Sequence, residues 1–119
     1  MPARFKMMLV ACVAAAAAIG AAPAPATAQT IQLGAVLPLT GPAAVIGTEE
    51  ANGIRFAVEQ ANAKGGVQGH QIKMLFEDNQ AKADQSILSF NKLVDLNHVA
   101  VVFTGYSGPS LAMAPLATR

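Results

Sequence analysis

The chain has 119 residues, a formal net charge of +1 at pH 7 and one cysteine. A single cysteine excludes a disulfide framework, and the length allows one small domain at most. From residue 29 onward the sequence carries six basic and seven acidic residues, without a basic stripe or an aromatic-interleaved patch. This balance argues against nucleic acid as a partner.

The first 28 residues have the pattern of a secretory signal peptide. Arg4 and Lys6 precede an apolar run over 7–22, and Ala26-Thr27-Ala28 forms an A-x-A cleavage site. A membrane anchor fits less well, because the run falls short of the roughly 20 apolar residues that a spanning helix needs. We therefore predict export and a mature chain that begins at Gln29.

Lipid anchoring is an alternative, because Leu9-Val10-Ala11-Cys12 resembles a lipoprotein box. Only a handful of apolar residues precede Cys12, whereas a signal-peptide core needs roughly 7 to 15. Cleavage after Ala28 is thus the favoured interpretation, and it leaves the mature chain without cysteine.

The mature chain opens with a buried strand and a helix. The run "IQLGAVL", Ile31–Leu37, is mostly apolar and is closed by Pro38 and Gly41. Helical spacing begins at Thr48, which we interpret as the N-cap, and Gly65-Gly66 ends the helix. Glu49 and Glu50 would then suit the positive end of the helix dipole. The apolar face consists of Ala51, Ile54, Val58 and Ala61.

The remaining elements repeat this order. "HQIKMLFEDN" alternates as a strand, with Ile72, Met74 and Phe76 on one side and Lys73, Leu75 and Glu77 on the other. A second helical stripe follows at Ala83, Ile87, Phe90, Leu93 and Val94. Val99–Phe103 is fully apolar and is predicted to be a central buried strand, and Pro109 is predicted to begin a third helix. The order βαβαβα indicates an α/β fold with a parallel sheet and helices on both faces.

Two loops follow predicted strands at the edge where such sheets bind ligands, "PLTGPAAVIG" and "TGYSGPS". Helix starts at these loops present unpaired N–H groups that bind small anions without lysine. Neither a phosphate-binding P-loop nor a dinucleotide fingerprint fits the glycine spacing. "GYSGP" departs from a nucleophile elbow at Pro109 and has no later acid or histidine. Ser107 is therefore either a hydrogen-bonding hydroxyl for a ligand or a helix cap.

Other polar residues favour structural roles. His70 lies in a predicted turn and His98 at the entry of the third strand, both without carboxylate or cysteine at metal-ligand spacing, so no metal site is predicted. Asp78 and Asn79 end the second strand and could reach the cleft, but a capping or turn role is favoured. No cofactor and no catalytic residues are predicted.

Four motifs in order resemble the start of the periplasmic leucine/isoleucine/valine-binding proteins, the ligand-capturing subunits of branched-chain amino acid ABC transporters. They are "PLTGPAAVIG", "NGIRFAVEQANAKGG" with "VQG" after it, "EDNQ", and "VVFTGYSGPS". The resemblance implies a type I periplasmic-binding fold with two Rossmann-like lobes. Residues 29–119 would form the opening part of the first lobe, so we interpret the chain as an N-terminal fragment.

The resemblance also implies a function and a site. The protein would be a binding protein rather than an enzyme, and would deliver an amino acid or an analogue to the permease subunits of an ABC transporter. A ligand-sensing receptor module of the same fold is the alternative. In the family, a serine after the third strand holds the ligand carboxylate; by position it is Ser107, flanked by Tyr106 and Gly108. The apolar residue that lies against the ligand falls at Ile46, where relatives often have an aromatic residue.

Overall fold

The computed structural model describes residues 29–118. The predictions on the signal peptide, Cys12 and the cleavage site lie outside the described residues. The strands are β1 (Ile31–Leu37), β2 (Ile72–Asp78) and β3 (Val102–Thr104), and the α-helices are α1 (Ala44–Ala63), α2 (Ala83–Asn91) and α3 (Ser107–Met113). A π-helical segment (Lys92–Leu96) extends α2, and one 3-10 turn (Ala114–Leu116) follows α3. The predicted order βαβαβα is confirmed.

The three strands form one parallel sheet in the order β2-β1-β3. Leu37 at the end of β1 is opposite Asp78 of β2, and Val36 is opposite Thr104 of β3. The carboxyl ends of the strands therefore share one edge, and the loops that follow them meet there.

The third strand is not central, contrary to the prediction. β1 is the middle strand, because the chain crosses back over it after α2, and β3 lies at the edge of the described sheet. Val101 and Phe103 remain 47% and 43% exposed, while Val99, just before the strand, is buried. An apolar sequence indicates that the side chains of a strand tend to be buried, but it does not determine where the strand lies in the sheet.

Helices cover both faces of the sheet, as predicted. On the α1 side the core contains Ala35, Leu37 and Ala51, with Ile54, Met74 and Phe76 packed against it. On the other side it contains Val36, Phe90, Leu93, Val99 and Met113, with Leu75 and Val102 packed against it. Leu75 thus joins the second core. In α2, Phe90 is buried as expected, but Ala83 is exposed and Ser86 takes a buried place, its hydroxyl donating to the Lys82 carbonyl at 2.6 Å.

The first helix begins four residues before the predicted N-cap. Ala43 precedes its first residue and makes no side-chain capping bond, while Gly41, at φ +82°, turns the chain into the helix. Gly47 permits the early start because it packs directly on the Pro38 carbonyl, where a Cβ atom would overlap. Thr48 is therefore not the cap. The helix ends as predicted, since Gly65 and Gly66 both have positive φ.

Asn62 joins the end of α1 to the start of β2. Its side-chain amide donates to the Ile72 carbonyl and its amide oxygen accepts from the Ile72 N–H, both at 2.8 Å. This pair of bonds satisfies the backbone N–H and carbonyl of Ile72, the first residue of β2.

The third helix also begins earlier than predicted. Tyr106, with an extended backbone, precedes it, and Ser107 is its first residue. Pro109 is the third residue, where the missing N–H costs no helical hydrogen bond. The shift places Ser107 and Gly108 inside the helix N-terminus.

Candidate functional site

The candidate site lies at the carboxyl edge of the sheet, on three connections. The first loop (residues 38–43) follows β1, residues 79–82 follow β2, and Gly105-Tyr106 follow β3. Because β1 pairs with both neighbours, the first loop lies between the other two connections. This arrangement is the one in which open parallel sheets bind ligands.

The start of α3 gathers three of the predicted site residues. Tyr106, Ser107 and Gly108 are consecutive and exposed, and the N–H groups of Ser107 and Gly108 belong to the unpaired first turn. Tyr106 is the N-cap residue of α3, so Ser107 does not occupy the cap position. Among the described residues it is Ser110, not Ser107, whose hydroxyl bonds back to the Tyr106 carbonyl, at 2.6 Å. The helix-cap interpretation of Ser107 is therefore wrong, and the residue is exposed.

Ser110 and Thr104 brace this helix start. Their hydroxyl groups lie 3.1 Å apart in a hydrogen bond, and the Ser110 N–H donates to the Tyr106 carbonyl at 2.9 Å. These bonds tie the end of β3 to the first turn of α3. They hold the backbone around Ser107 without using the Ser107 side chain.

Ile46 stands apart from these three residues, in the first turn of α1 rather than in the loop where the sequence analysis placed it. Its side chain is 49% exposed, and the neighbouring Val45 is 72% exposed. Two exposed aliphatic side chains at the carboxyl edge of a sheet give this part of the site an apolar surface. The binding roles of Ile46 and of the residues at the start of α3 stay predictions.

Asp78 bonds to the first loop across the edge of the sheet. Its Oδ1 accepts the N–H groups of Leu39 at 2.9 Å and Thr40 at 3.2 Å, and its Oδ2 accepts the Thr40 hydroxyl. Oδ1 also accepts the Gln80 N–H at 2.9 Å, which is the turn role that the sequence favours. The bonds to the first loop join residues nearly 40 positions apart, and no local pattern could have shown them.

The hydrogen bonds to Asp78 favour the ionised form of its carboxyl group. Burial by itself would raise the pKa of the Asp78 carboxyl, but the hydrogen bonds, that of the Thr40 hydroxyl foremost, outweigh it and lower this pKa below its ordinary value of 3.8. Asp78 is thus ionised over the whole range in which the protein would work, and each of its bonds to the loop is charge-assisted.

Glu50 lies against the backbone of the third connection. A Cβ atom at Gly105 would overlap its carboxylate, and its Oε2 is buried without a hydrogen-bond partner among the described residues. The two residues line a cavity of about 400 Å³ whose other walls are mostly apolar, with Leu37, Ile54 and Phe103 among them. Sequence reasoning missed this contact because it placed Glu50 in the first turn of α1, whereas the helix begins six residues earlier.

Metal ligands do not cluster in residues 29–118, where no three His, Cys, Asp or Glu side chains come together. His98 is exposed, and His70 is partly buried in the turn where it pairs with Val67. None of the helices over the same range is both long and apolar enough to cross a membrane.

A family profile decides which class of protein this site belongs to. The profile described as "Periplasmic binding protein" matches residues 30–119, nearly all of the described chain. The chain belongs to the periplasmic binding protein family. This membership confirms the resemblance drawn from the four motifs, and it confirms the prediction of a binding protein rather than an enzyme.

Within the periplasmic binding proteins, the chain is similar to Leu/Ile/Val-binding protein homologues. The chain is 41% identical over 91 residues to the Leu/Ile/Val-binding protein homolog 7 of Brucella abortus (strain 2308), covering 76% of this chain and 22% of the relative. It is 40% identical over 99 residues to the homolog 7 of Brucella melitensis, covering 83% and 24%. The chain thus spans about a quarter of the length of these relatives.

Solved structures of periplasmic binding proteins share the fold. The substrate binding protein LivJ of a branched-chain amino acid transporter from Streptococcus pneumoniae, in complex with isoleucine, matches with a TM-score of 0.72 at 33% identity, over 76% of this chain and 26% of that one. A solute binding protein from Rhodopseudomonas palustris BisB5, in complex with 3,4-dihydroxybenzoic acid, matches with a TM-score of 0.67 at 30% identity, over 75% and 24%. The predicted parallel α/β architecture is thereby confirmed as that of this family.

The contact between Glu50 and Gly105 gives a testable prediction. In Gly105→Ala the new methyl group overlaps the Glu50 carboxylate, so this flexible side chain must turn away, and we expect a loss of at most about 1 kcal/mol in the free energy of unfolding. Urea denaturation of the full-length protein measures it. Gly53→Ala is the matched control, because nothing lies within 4 Å of its Cβ position, and its helix should gain about 0.5 to 1 kcal/mol.

Adding Glu50→Ala should relieve the overlap and restore most of the stability lost in Gly105→Ala. An unchanged loss in this double variant would show that the strain arises elsewhere.

Proposed function

We propose that residues 29–119 form the opening part of the first lobe of an exported solute-binding protein. The protein captures a small ligand with a carboxylate, such as a branched-chain amino acid or an analogue, and delivers it to the permease subunits of an ABC transporter. Residues 1–28 act as the signal peptide and direct the protein to the periplasm, with cleavage after Ala28 rather than acylation of Cys12.

The start of α3 carries this proposal. Ser107 is exposed and is not the cap residue, and beside it are the unpaired N–H groups of the first helical turn. Together these donors would surround one carboxylate group, and the partial positive charge of the helix N-terminus favours that anion. Tyr106 and Gly108 flank the serine, so the ligand can approach the backbone without meeting a bulky side chain at residue 108.

The ligands of two structural neighbours support a carboxylate as the common feature. Isoleucine and 3,4-dihydroxybenzoic acid, bound by the Streptococcus and Rhodopseudomonas proteins, differ in shape and polarity but both carry a carboxylate. A site that holds the carboxylate through one loop and the rest of the ligand through others would accommodate both. On this account Ile46 contacts the variable part of the ligand with its exposed aliphatic side chain.

A panel of ligands tests the proposal. Thermal unfolding of the full-length protein should shift upward in the presence of leucine, isoleucine or valine, because a ligand that binds the folded state alone stabilises it. Lysine and glutamate should shift it less, since Ile46 offers no partner for a charged side chain. A panel in which no amino acid or other small carboxylate raises the midpoint would refute the proposed function.

Export has its own test. Mass spectrometry of the secreted protein should give an N-terminus at Gln29. An acylated N-terminus at Cys12 would instead establish the lipid-anchored alternative.

A further inference from the structure

Asp78 connects two parts of the candidate site through a single carboxylate. It is the last residue of β2, and it accepts two backbone N–H groups and a hydroxyl from the first loop, which belongs to the neighbouring strand β1. A fourth bond comes from the Gln80 N–H, which belongs to the connection that follows β2 itself. Both carboxylate oxygens are thus engaged by the protein.

The backbone directly after Asp78 adopts an unusual conformation. Gln80 and Ala81 have φ values of +52° and +59°, a conformation that residues other than glycine rarely adopt. The buried Asn79 side chain stabilises this bend by accepting the Ala81 N–H at 2.9 Å. Strained backbone persists where the surrounding structure requires it, and here the bonds of the Gln80 and Ala81 N–H groups to Asp78 and Asn79 hold it.

The first loop leads directly into the helix turn that carries Ile46. Between Thr40, which Asp78 holds, and Ala44, the first residue of α1, the chain turns at Gly41, whose carbonyl accepts the Ala44 N–H at 3.1 Å. A change in the position of Thr40 is therefore passed through one tight turn to the start of α1. The start of α3 is held separately, by the bonds of Ser110 to Thr104 and Tyr106.

We propose that Asp78 is a positioning residue that sets the location of Ile46 through the first loop, and so governs how the protein discriminates between ligand side chains without touching the ligand. This inference rests on the proposed function. It separates the site into two parts: Asp78 acts on the part that contacts the side chain, and the part at Ser107, which holds the carboxylate, has its own bonds to Thr104 and Tyr106 and is much less sensitive to Asp78.

Two variants of the full-length protein weaken the connection in different ways. Asp78→Asn keeps the shape of the side chain but removes its charge, and charge-assisted bonds are about twice as strong as neutral ones. Thr40→Val removes the hydroxyl donor and leaves Asp78 intact, so it tests the connection even if Asp78→Asn folds poorly. Glu59→Gln, which neutralises an exposed carboxylate far along α1, is the control for the loss of a charge.

Hydrogen exchange gives a test that needs no ligand. In Asp78→Asn we expect the amide groups of Leu39 and Thr40 and those of the first turn of α1 to exchange at least about fivefold faster, with Thr40→Val showing a smaller change in the same amides. Exchange at Ser110 should be unchanged. If the amides in the first turn of α1 exchanged at the parent protein's rates in both variants, the inference would be overturned, whatever the protein binds.

Calorimetric titration with L-leucine and L-alanine supplies the functional test. Asp78→Asn should weaken leucine binding about five- to tenfold and alanine binding less than twofold. Adding Ile46→Ala should cause little further loss for leucine, because both changes affect the same contact, whereas the effect of Ser107→Ala should multiply with that of Asp78→Asn. A fully multiplicative effect with Ile46→Ala would refute the positioning role, and an inert Ser107→Ala would instead refute the proposed carboxylate site.

Discussion

Replacing Ser107 with alanine in the full-length protein should weaken ligand binding by about 10- to 100-fold and leave the free energy of unfolding nearly unchanged. A ligand carboxylate at the start of α3 would accept the Ser107 hydroxyl, and a charge-assisted hydrogen bond is worth about 1.5 to 3 kcal/mol. That energy corresponds to the stated loss of affinity. Stability should not change, because Ser107 is exposed and is not the cap residue of α3.

Ser110 is the matched control for this prediction. It lies three residues later in the same helix, but its hydroxyl bonds to the Tyr106 carbonyl and to Thr104. Ser110→Ala should therefore lower the free energy of unfolding by about 0.5 to 1.5 kcal/mol, with a smaller effect on affinity than Ser107→Ala. If Ser107→Ala lost as much free energy of unfolding as free energy of binding, the Ser107 hydroxyl would stabilise the fold and would not bind the ligand.

Replacing Gly47 with alanine should lower the free energy of unfolding by about 1 to 3 kcal/mol. The added methyl group would overlap the backbone carbonyl of Pro38, which cannot move aside as a flexible side chain can, and overpacking of a tight contact costs an amount of this order. The loss should appear although alanine has the higher helix propensity. Urea denaturation measures it, with Gly53→Ala, in open space on the same helix, as the stabilised control.

Ligand binding should fall as well in Gly47→Ala, because residue 47 lies next to Ile46 in the first turn of α1. The account of how α1 begins would be wrong if Gly47→Ala were as stable as Gly53→Ala.

Sequence periodicity predicts the fold class and the order of the elements along the chain, but not the order of the strands in the sheet. The bounds of β1, the apolar face of α1 and the alternation of β2 follow from patterns that repeat every two or 3.6 residues, and the structure has them where expected. The predicted starts of α1 and α3 were wrong, because neither helix has a side-chain cap whose residue type would indicate its first residue. Gly47 allows the first to begin early, through a contact with Pro38 that no sequence pattern reveals.

The candidate site was predictable only in part. Glycine-rich loops after strands indicated the edge of the sheet, and the family resemblance singled out Ser107 and Ile46. The contacts that hold these loops, from Asp78 to Thr40 and from Glu50 to Gly105, join residues about 40 to 55 positions apart. Such contacts depend on which strands are neighbours, and that order became known only from the structure.

The central claim is that this sheet edge holds the carboxylate of a small ligand. Calorimetric titration of the full-length protein with L-leucine and with 3-methylbutylamine, which is leucine without its carboxylate, tests it directly. Loss of the charge-assisted bonds at the start of α3 should make the amine bind at least about 100-fold more weakly than leucine. An amine that binds within about threefold of leucine would contradict the claim.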